Sequence, residues 1–378
     1  MNILFYLSRY PGYGGIESVT SLIISGLIKQ SGIHISILTH ISEDNPMCDL
    51  ENVGYYLMPD QKACYTKKNF LFAERVISNN AFDAIVYQDS YAYTEKIVCS
   101  LANKYNIPLY VFEHNSPLFI YNKRGLEPIT TPKGFIRRVL HPYLLHREIK
   151  RKRYLFENCK KYVLLSKTFI PEFCNLIGTC ENNPKVTYIN NPCIPSLPTE
   201  RINKDKIILC VCQLNKTKQV DKMLMVWVTI KDKLGDWKFQ IVGDGPEMAN
   251  LKAMVVKYEI PRVEFIGFAN PLKYYQKASI FWMMSKFEGW GLTLLESMQQ
   301  GCVPVAWYSY SSLTDIVDDG VNGYVVKNWD MNSFGDITIY LANNHEELER
   351  MSMAARKKPD SFSLDKIVED WKTLLGVV

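Results

Sequence analysis

The sequence of 378 residues predicts two α/β domains, each a doubly wound parallel sheet. Three observations lead there. Apolar, strand-like runs alternate with helical periodicity along the chain. The rhythm stops over residues 190–201, which hold three prolines, and restarts at Ile207. Each half also contains a strand, a glycine-rich loop and a helix start, at residues 2–27 and 280–300. The expected domains are therefore residues 1–195 and 202–362.

Composition narrows the class. A hydrophobic content of 47% and a charged content of 22% suit a soluble globular protein with a full core. No apolar run has the length of a membrane span, and the N-terminus reads as a strand rather than a signal peptide. Ten cysteines are scattered without a Cys-x-x-Cys pair, which suggests free thiols in a reducing cytoplasm. Cys210 and Cys212 share one face of a strand and read as small buried hydrophobes. The net charge of +5 is uneven: residues 101–197 carry 15 Lys/Arg against 6 Asp/Glu. That local excess points to an acidic partner.

Taken in order, residues 2–7 form an apolar strand, followed by a loop with Gly12, Gly14 and Gly15 and a helix marked by Val19, Leu22, Ile23 and Leu27. This loop is not Gly-x-Gly-x-x-Gly, so it is a poor dinucleotide fingerprint. Further strands are expected at 33–38, 83–87, 109–112, 162–165 and 186–189. In such sheets ligands lie beyond the carboxyl ends of the strands. That rule singles out Glu113-His114-Asn115 and Ser166-Lys167. In the second half, strands are expected at 207–212, 238–242, 263–266, 280–284 and 303–307, with a helix from Val220 and a last helix at 364–375. The run 284–306 is central: a buried strand, a turn with Glu288, Gly289 and Gly291, then a helix with Glu296 one turn in. Backbone N–H groups and the helix dipole converge there on an anion site. Two carboxylates beside it suit a hydroxylated ligand such as a sugar.

These residues resemble a family. Ser285-x-x-Glu288-Gly289-x-Gly291-Leu292-x-x-x-Glu296 looks like the signature of the retaining glycosyltransferases of family 4, bacterial polysaccharide or lipopolysaccharide type. Gly301, Pro304 and Val305 extend the likeness, and Gly14-Gly15-Ile16-Glu17, Gly243-Asp244-Gly245-Pro246-Glu247 and Glu264-Phe265-Ile266-Gly267-Phe268 match it elsewhere. The resemblance implies the GT-B fold, two Rossmann-like domains facing a central cleft, with the last helix, about 363–378, crossing back onto the first. It implies a nucleotide-sugar site built from Gly14, Gly15, Gln213, Lys218, Gly243, Gly267, Phe268, Glu288, Gly289, Trp290, Gly291, Leu292 and Glu296. Glu288, His114 and Lys218 would be catalytic, with Glu296 on the ribose. One departure stands out. The family's Gly-Arg-Leu-x-x-x-Lys is Cys212-Gln213-Leu214-Asn215-Lys216-Thr217-Lys218 here, so Gln213 replaces the arginine of a diphosphate clamp. Losing that fork removes about 1–3 kcal/mol unless Lys216 or Lys286 substitutes.

The reaction implied is retaining transfer of a hexose or N-acetylhexosamine from a nucleotide sugar, UDP-linked on base rate, to a glycan or lipid-linked glycan. No Asp-x-Asp pair occurs, so neither metal nor cofactor is expected. A GT-B epimerase, a phosphorylase and an inactive glycan-binding relative are the rival readings. Finally, residues 133–161 hold ten Lys/Arg against Glu148 and Glu157, interleaved with Phe135, Ile136, Val139, Leu140, Tyr143 and Leu144 at helical spacing. Two readings stand. One is a helix lying on an anionic membrane surface through Arg137, Arg138, Arg151 and Arg153, as a peripheral protein of the inner face would. The other is an ordinary helix with a core-facing stripe and a solvated basic face. No nucleic-acid reading motif accompanies the charge.

Overall fold

The computed structural model describes residues 1–378 apart from 44–49, 90–92, 124–129, 194–202 and 378. Most of the expected linker, 190–201, thus lies outside the described residues, as does Cys48. The chain divides into two compact units, Met1–Pro192 with Ser363–Val378, and Cys193–Phe362.

The first unit runs β1 (Asn2–Arg9), α1 (Gly15–Leu27), β2 (His34–Ile41), β3 (Val53–Leu57), α2 (Lys67–Asn79), β4 (Ala84–Asp89), α3 (Glu95–Lys104), β5 (Leu109–Glu113), α4 (Phe119–Lys123), α5 (Pro132–Asn158), β6 (Lys161–Leu164), α6 (Phe169–Ile177) and β7 (Val186–Tyr188). Its seven strands are parallel, in the order β3-β2-β1-β4-β5-β6-β7. The second unit runs β8 (Asp205–Val211), α7 (Val220–Ile230), β9 (Lys238–Val242), α8 (Met248–Lys257), β10 (Val263–Gly267), α9 (Leu272–Lys277), β11 (Ala278–Met283), α10 (Leu292–Gln299), β12 (Val303–Trp307), α11 (Leu313–Ile316), β13 (Tyr324–Val326), α12 (Met331–Asn343) and α13 (His345–Lys357). Its sheet, also parallel, has the order β10-β9-β8-β11-β12-β13. The last helix, α14 (Leu364–Leu375), returns to the first unit. There Trp371 stacks on Phe112 at 4.1 Å and on Phe5 at 5.8 Å.

Both sheets are covered on two faces by helices, which is why their strands read as unbroken apolar runs. β11 and β12 are buried at every position. Trp227, Phe239, Trp282, Trp307 and Phe334 fill the second core. Strand order reverses between β8 and β11, where neighbouring crossovers leave in opposite directions and open a crevice at the carboxyl ends. The loops at that point are 212–219 and 284–291.

Two strands escape sequence patterning. β3 is half exposed and contains Gly54, and β13 has only three residues. Both are edge strands, with little apolar alternation to reveal them.

The basic segment is the main correction. It forms the 27-residue helix α5, capped by Thr131, whose side chain accepts from Gly134 N at 3.0 Å, and continuous through Pro142. Arg151 is not available to a surface: it is buried and pairs with Glu148 at 2.7 Å. Lys152 is buried as well, bonded to Glu113, which also accepts from Tyr162 Oη at 2.8 Å. Glu113 is thereby spent on this network rather than presented to a ligand. Arg153 donates to the Ile177 carbonyl at 2.7 Å. The apolar stripe does not face the core either. Phe135, Ile136, Val139, Leu140 and Tyr143 are 45–62% exposed.

Candidate functional site

The loop after β8 and the turn before α10 are held together by their backbones. Lys286 N donates to Thr217 O at 2.7 Å. With its amide turned to satisfy both ends, Gln219 donates to Met284 O at 3.0 Å and accepts from Lys222 Nζ at 3.1 Å. A third loop, 308–312, fixes the turn from the other side. Ser309 Oγ donates to Ser285 O at 2.5 Å and Ser312 Oγ to Gly289 O at 3.1 Å. Gly291 begins α10 at φ +100, and a Cβ there would lie 2.9 Å from Tyr310 Oη, so only glycine fits. No side chain caps this helix start. Its first N–H groups and dipole therefore face whatever binds at the crevice.

Into this frame the two loops place a close ion pair, Lys218 Nζ to Glu288 Oε1 at 2.5 Å. Burial works against the lysine charge, but the adjacent Glu288 carboxylate and the Cys212 and Cys210 thiols outweigh it and raise its pKa. Lys218 is thus held as a cation next to a carboxylate. Eight residues beyond Glu288, Glu296 accepts from Tyr275 Oη at 2.8 Å. Burial raises the Glu296 pKa, and the tyrosine hydrogen bond opposes that rise. Tyr275, on α9, is a residue that sequence reasoning missed. It lies in no motif, and only the fold brings α9 beside α10.

The remaining expected residues are distributed as follows. Gly243 is required by packing, since a Cβ there would sit 1.9 Å from Cys212 O, and its N–H donates to Gly267 O at 2.8 Å. Phe268, just beyond, is 82% exposed. Gln213 is exposed and its Oε1 accepts from Asn215 Nδ2 at 3.2 Å, so it takes no part in the Lys218–Glu288 pair. Trp290 is a correction. Its side chain is 2% exposed and meets Phe362 edge-on at 5.2 Å, so it packs the unit instead of lining the crevice. In the first unit, Gly14 and Gly15 open α1 and are exposed. His114 follows β5, is largely buried, and its Nε2 hydrogen-bonds Gln88 Oε1. Gln88, an amide inside an apolar strand, is a second residue the sequence did not flag.

Two parallel-sheet α/β units with this connectivity define the GT-B fold of glycosyltransferases. Comparison with known proteins agrees. Residues 198–358 match the family model described as glycosyl transferases group 1. An uncharacterized glycosyltransferase of Haemophilus influenzae is 27% identical over 98% of this chain and 99% of its own. A Campylobacter jejuni alpha-1,4-N-acetyl-D-galactosaminyltransferase, named for a diNAcBac-PP-undecaprenol-linked substrate, is 21% identical over 100% and 99%. Among solved structures, the pneumococcal O-GlcNAc transferase GtfA in complex with UDP and GlcNAc superposes with a TM-score of 0.74 at 13% identity, covering 100% of this chain and 98% of that one. These matches support a glycosyltransferase.

Two expected results follow from the site itself. Gln213→Arg restores a planar fork matched to phosphate oxygens, and should tighten nucleoside diphosphate binding by about 1–3 kcal/mol in calorimetry. No gain would mean that another group already fills that place. Glu296→Gln should separate binding from stability. Because the folded pKa of Glu296 lies above its unfolded value, its ionised form costs stability, which is lost as pH rises through the folded pKa. At neutral pH the glutamine should therefore raise the apo melting temperature, at about 2–4 °C per kcal/mol. Nucleotide binding should weaken at the same time. A fall in both would contradict the assignment.

Proposed function

We propose that the chain is a retaining, metal-independent glycosyltransferase that moves a hexose or N-acetylhexosamine from a UDP-sugar to a lipid-linked glycan in surface-polysaccharide synthesis. The observation that carries this is the Lys218–Glu288 pair at the uncapped start of α10, with Glu296 one turn along the same helix. Departure of the nucleoside diphosphate builds negative charge, and Lys218 and the amides of Gly291 and Leu292 are positioned to take it up. Glu288 faces the positive anomeric centre and holds donor hydroxyls, while Glu296 accepts from the ribose. Among the described residues no carboxylate stands out as a double-displacement nucleophile, so the acceptor hydroxyl attacks from the face the leaving group vacates. UDP is favoured by the UDP complex of GtfA, and the lipid-linked acceptor by the undecaprenol named for the Campylobacter relative. The test is a panel of UDP-, GDP- and ADP-sugars read by thermal shift and then by product release with an acceptor, with anomeric configuration determined by NMR. Stabilisation by UDP-sugars, and turnover that survives EDTA, are the expected results. Turnover without acceptor would instead support an epimerase, a need for free phosphate a phosphorylase, and binding without turnover an inactive relative.

The acceptor reading extends to α5. No described helix is long and apolar enough to cross a bilayer. The exposed stripe of Phe135, Ile136, Val139, Leu140 and Tyr143 is flanked by Arg137, Arg138 and Lys150, the composition that lies on an anionic lipid surface at about 1 kcal/mol per cation. Vesicles containing anionic lipid should float with the protein at low salt and release it at high salt. Charge reversal at Arg137, Arg138 and Lys150 should weaken that binding, and equal binding to neutral vesicles would refute it.

A further inference from the structure

Cys210 and Cys212 stand apart from the other described thiols. Burial pushes Cys159 and Cys193 up to about 12. Cys210 and Cys212 instead face each other, Sγ to Sγ at 3.7 Å, along the carboxyl end of β8. They line one small recess with Lys218, Met223, Ser285 and Thr293. Cys210 is buried, whereas Cys212 is partly exposed, so the pair has an inner and an outer sulfur. The hydrogen bond from Cys210 and the nearby Lys218 cation favour the Cys212 thiolate. Neither sulfur is used by the reaction proposed above. We propose that Cys210 and Cys212 are a redox-active dithiol, closed to a disulfide by peroxide, that governs whether the loop bearing Lys218 can bind the donor.

The step balances. The Cys212 thiolate attacks one peroxide oxygen, the O–O bond breaks, and the departing hydroxide is protonated to water. The Cys210 thiol then attacks the Cys212 sulfenic acid: the S–S bond forms, the S–O bond breaks, and the Cys210 proton leaves with that oxygen as a second water. Two thiols lose two electrons, and one peroxide becomes two waters. The backbone has little room to absorb the change. Cys212 N donates to Val242 O at 3.1 Å, and Gly243 is packed against the Cys212 carbonyl. Drawing Cys212 inward shifts the start of the loop and removes the thiolate from the surroundings of Lys218.

The dithiol itself does not depend on the donor reading; only its effect on binding rests on it. The full-length protein is treated with hydrogen peroxide, and the tryptic peptide 207–216, which contains both cysteines, is examined by mass spectrometry. The expected product is lighter by two hydrogens and resists alkylation until dithiothreitol is added. A peptide that gains oxygen, or still alkylates at both sulfurs, overturns the proposal. Calorimetry with UDP follows, before oxidation, after it, and after dithiothreitol. At least a tenfold rise in Kd, reversed by the reductant and absent in Cys210→Ser, is expected. A disulfide that leaves UDP binding unchanged overturns the control function. Failure of the untreated protein to bind UDP overturns the donor reading, and the mass measurement still decides the dithiol.

Discussion

Lys218→Ala and Glu288→Gln should each lower turnover at least tenfold, more than about 1.4 kcal/mol of barrier. Groups that meet charge developing in a transition state are worth about 10²–10³-fold elsewhere. The two side chains lie 2.5 Å apart, so their effects are coupled. Removing either leaves the other's charge uncompensated in a partly buried crevice, and the double variant should lose less than the product of the singles. The readout that separates chemistry from binding is kcat at saturating donor. Glu288→Gln keeps the size and hydrogen-bonding reach of the side chain but not its charge, so a loss in kcat isolates the electrostatic contribution. Near-wild-type kinetics in both single variants would sink the site assignment.

Lys152→Met should destabilise the first unit by about 3–5 kcal/mol, because it leaves the buried Glu113 carboxylate without its cation. Lys152 is bonded to Glu113 and lies 3.7 Å from Glu148, which Arg151 also pairs. The charges of the four groups cancel, and these pairs bind α5 to the end of β5. Lys152→Met combined with Glu113→Gln should recover part of the loss by removing the orphaned charge. Denaturant unfolding checks both variants. A cost below about 1 kcal/mol in the single variant would mean that water reaches the network.

The fold was legible because both sheets are buried on two faces. A strand such as β12, apolar at all five positions, announces itself. The edge strands β3 and β13 do not, since their residues answer to solvent as well as to the core. At the site, Glu288 and Gly291 could be singled out from the local chemistry of a glycine turn at a helix start, whereas Lys218 came only from the family resemblance. Tyr275 and Gln88 could not, because their partners are distant in sequence and only strand order brings them close. Helix α5 taught the opposite lesson. Its periodicity located the apolar stripe correctly, but periodicity fixes only which residues share a face and is silent about what that face meets. Arg151 and Arg153 look identical in sequence, two residues apart, yet one pairs within the protein and the other bonds a carbonyl at its surface.

Helix α14 has a consequence for how the chain is made. Trp371 completes the aromatic stack begun by Phe5 and Phe112, yet the ribosome adds it more than 250 residues after Phe112. The sheet of the first unit therefore emerges with one aromatic face uncovered, and stays so while all of residues 193–362 are synthesised. The second unit is contiguous and can close as soon as it is translated; the first must wait until α14 has been made. A premature stop after Phe362 would spare every residue of the Lys218–Glu288 crevice and still leave a nascent chain with Phe5 and Phe112 unsheathed, a substrate for chaperones before it could be a catalyst.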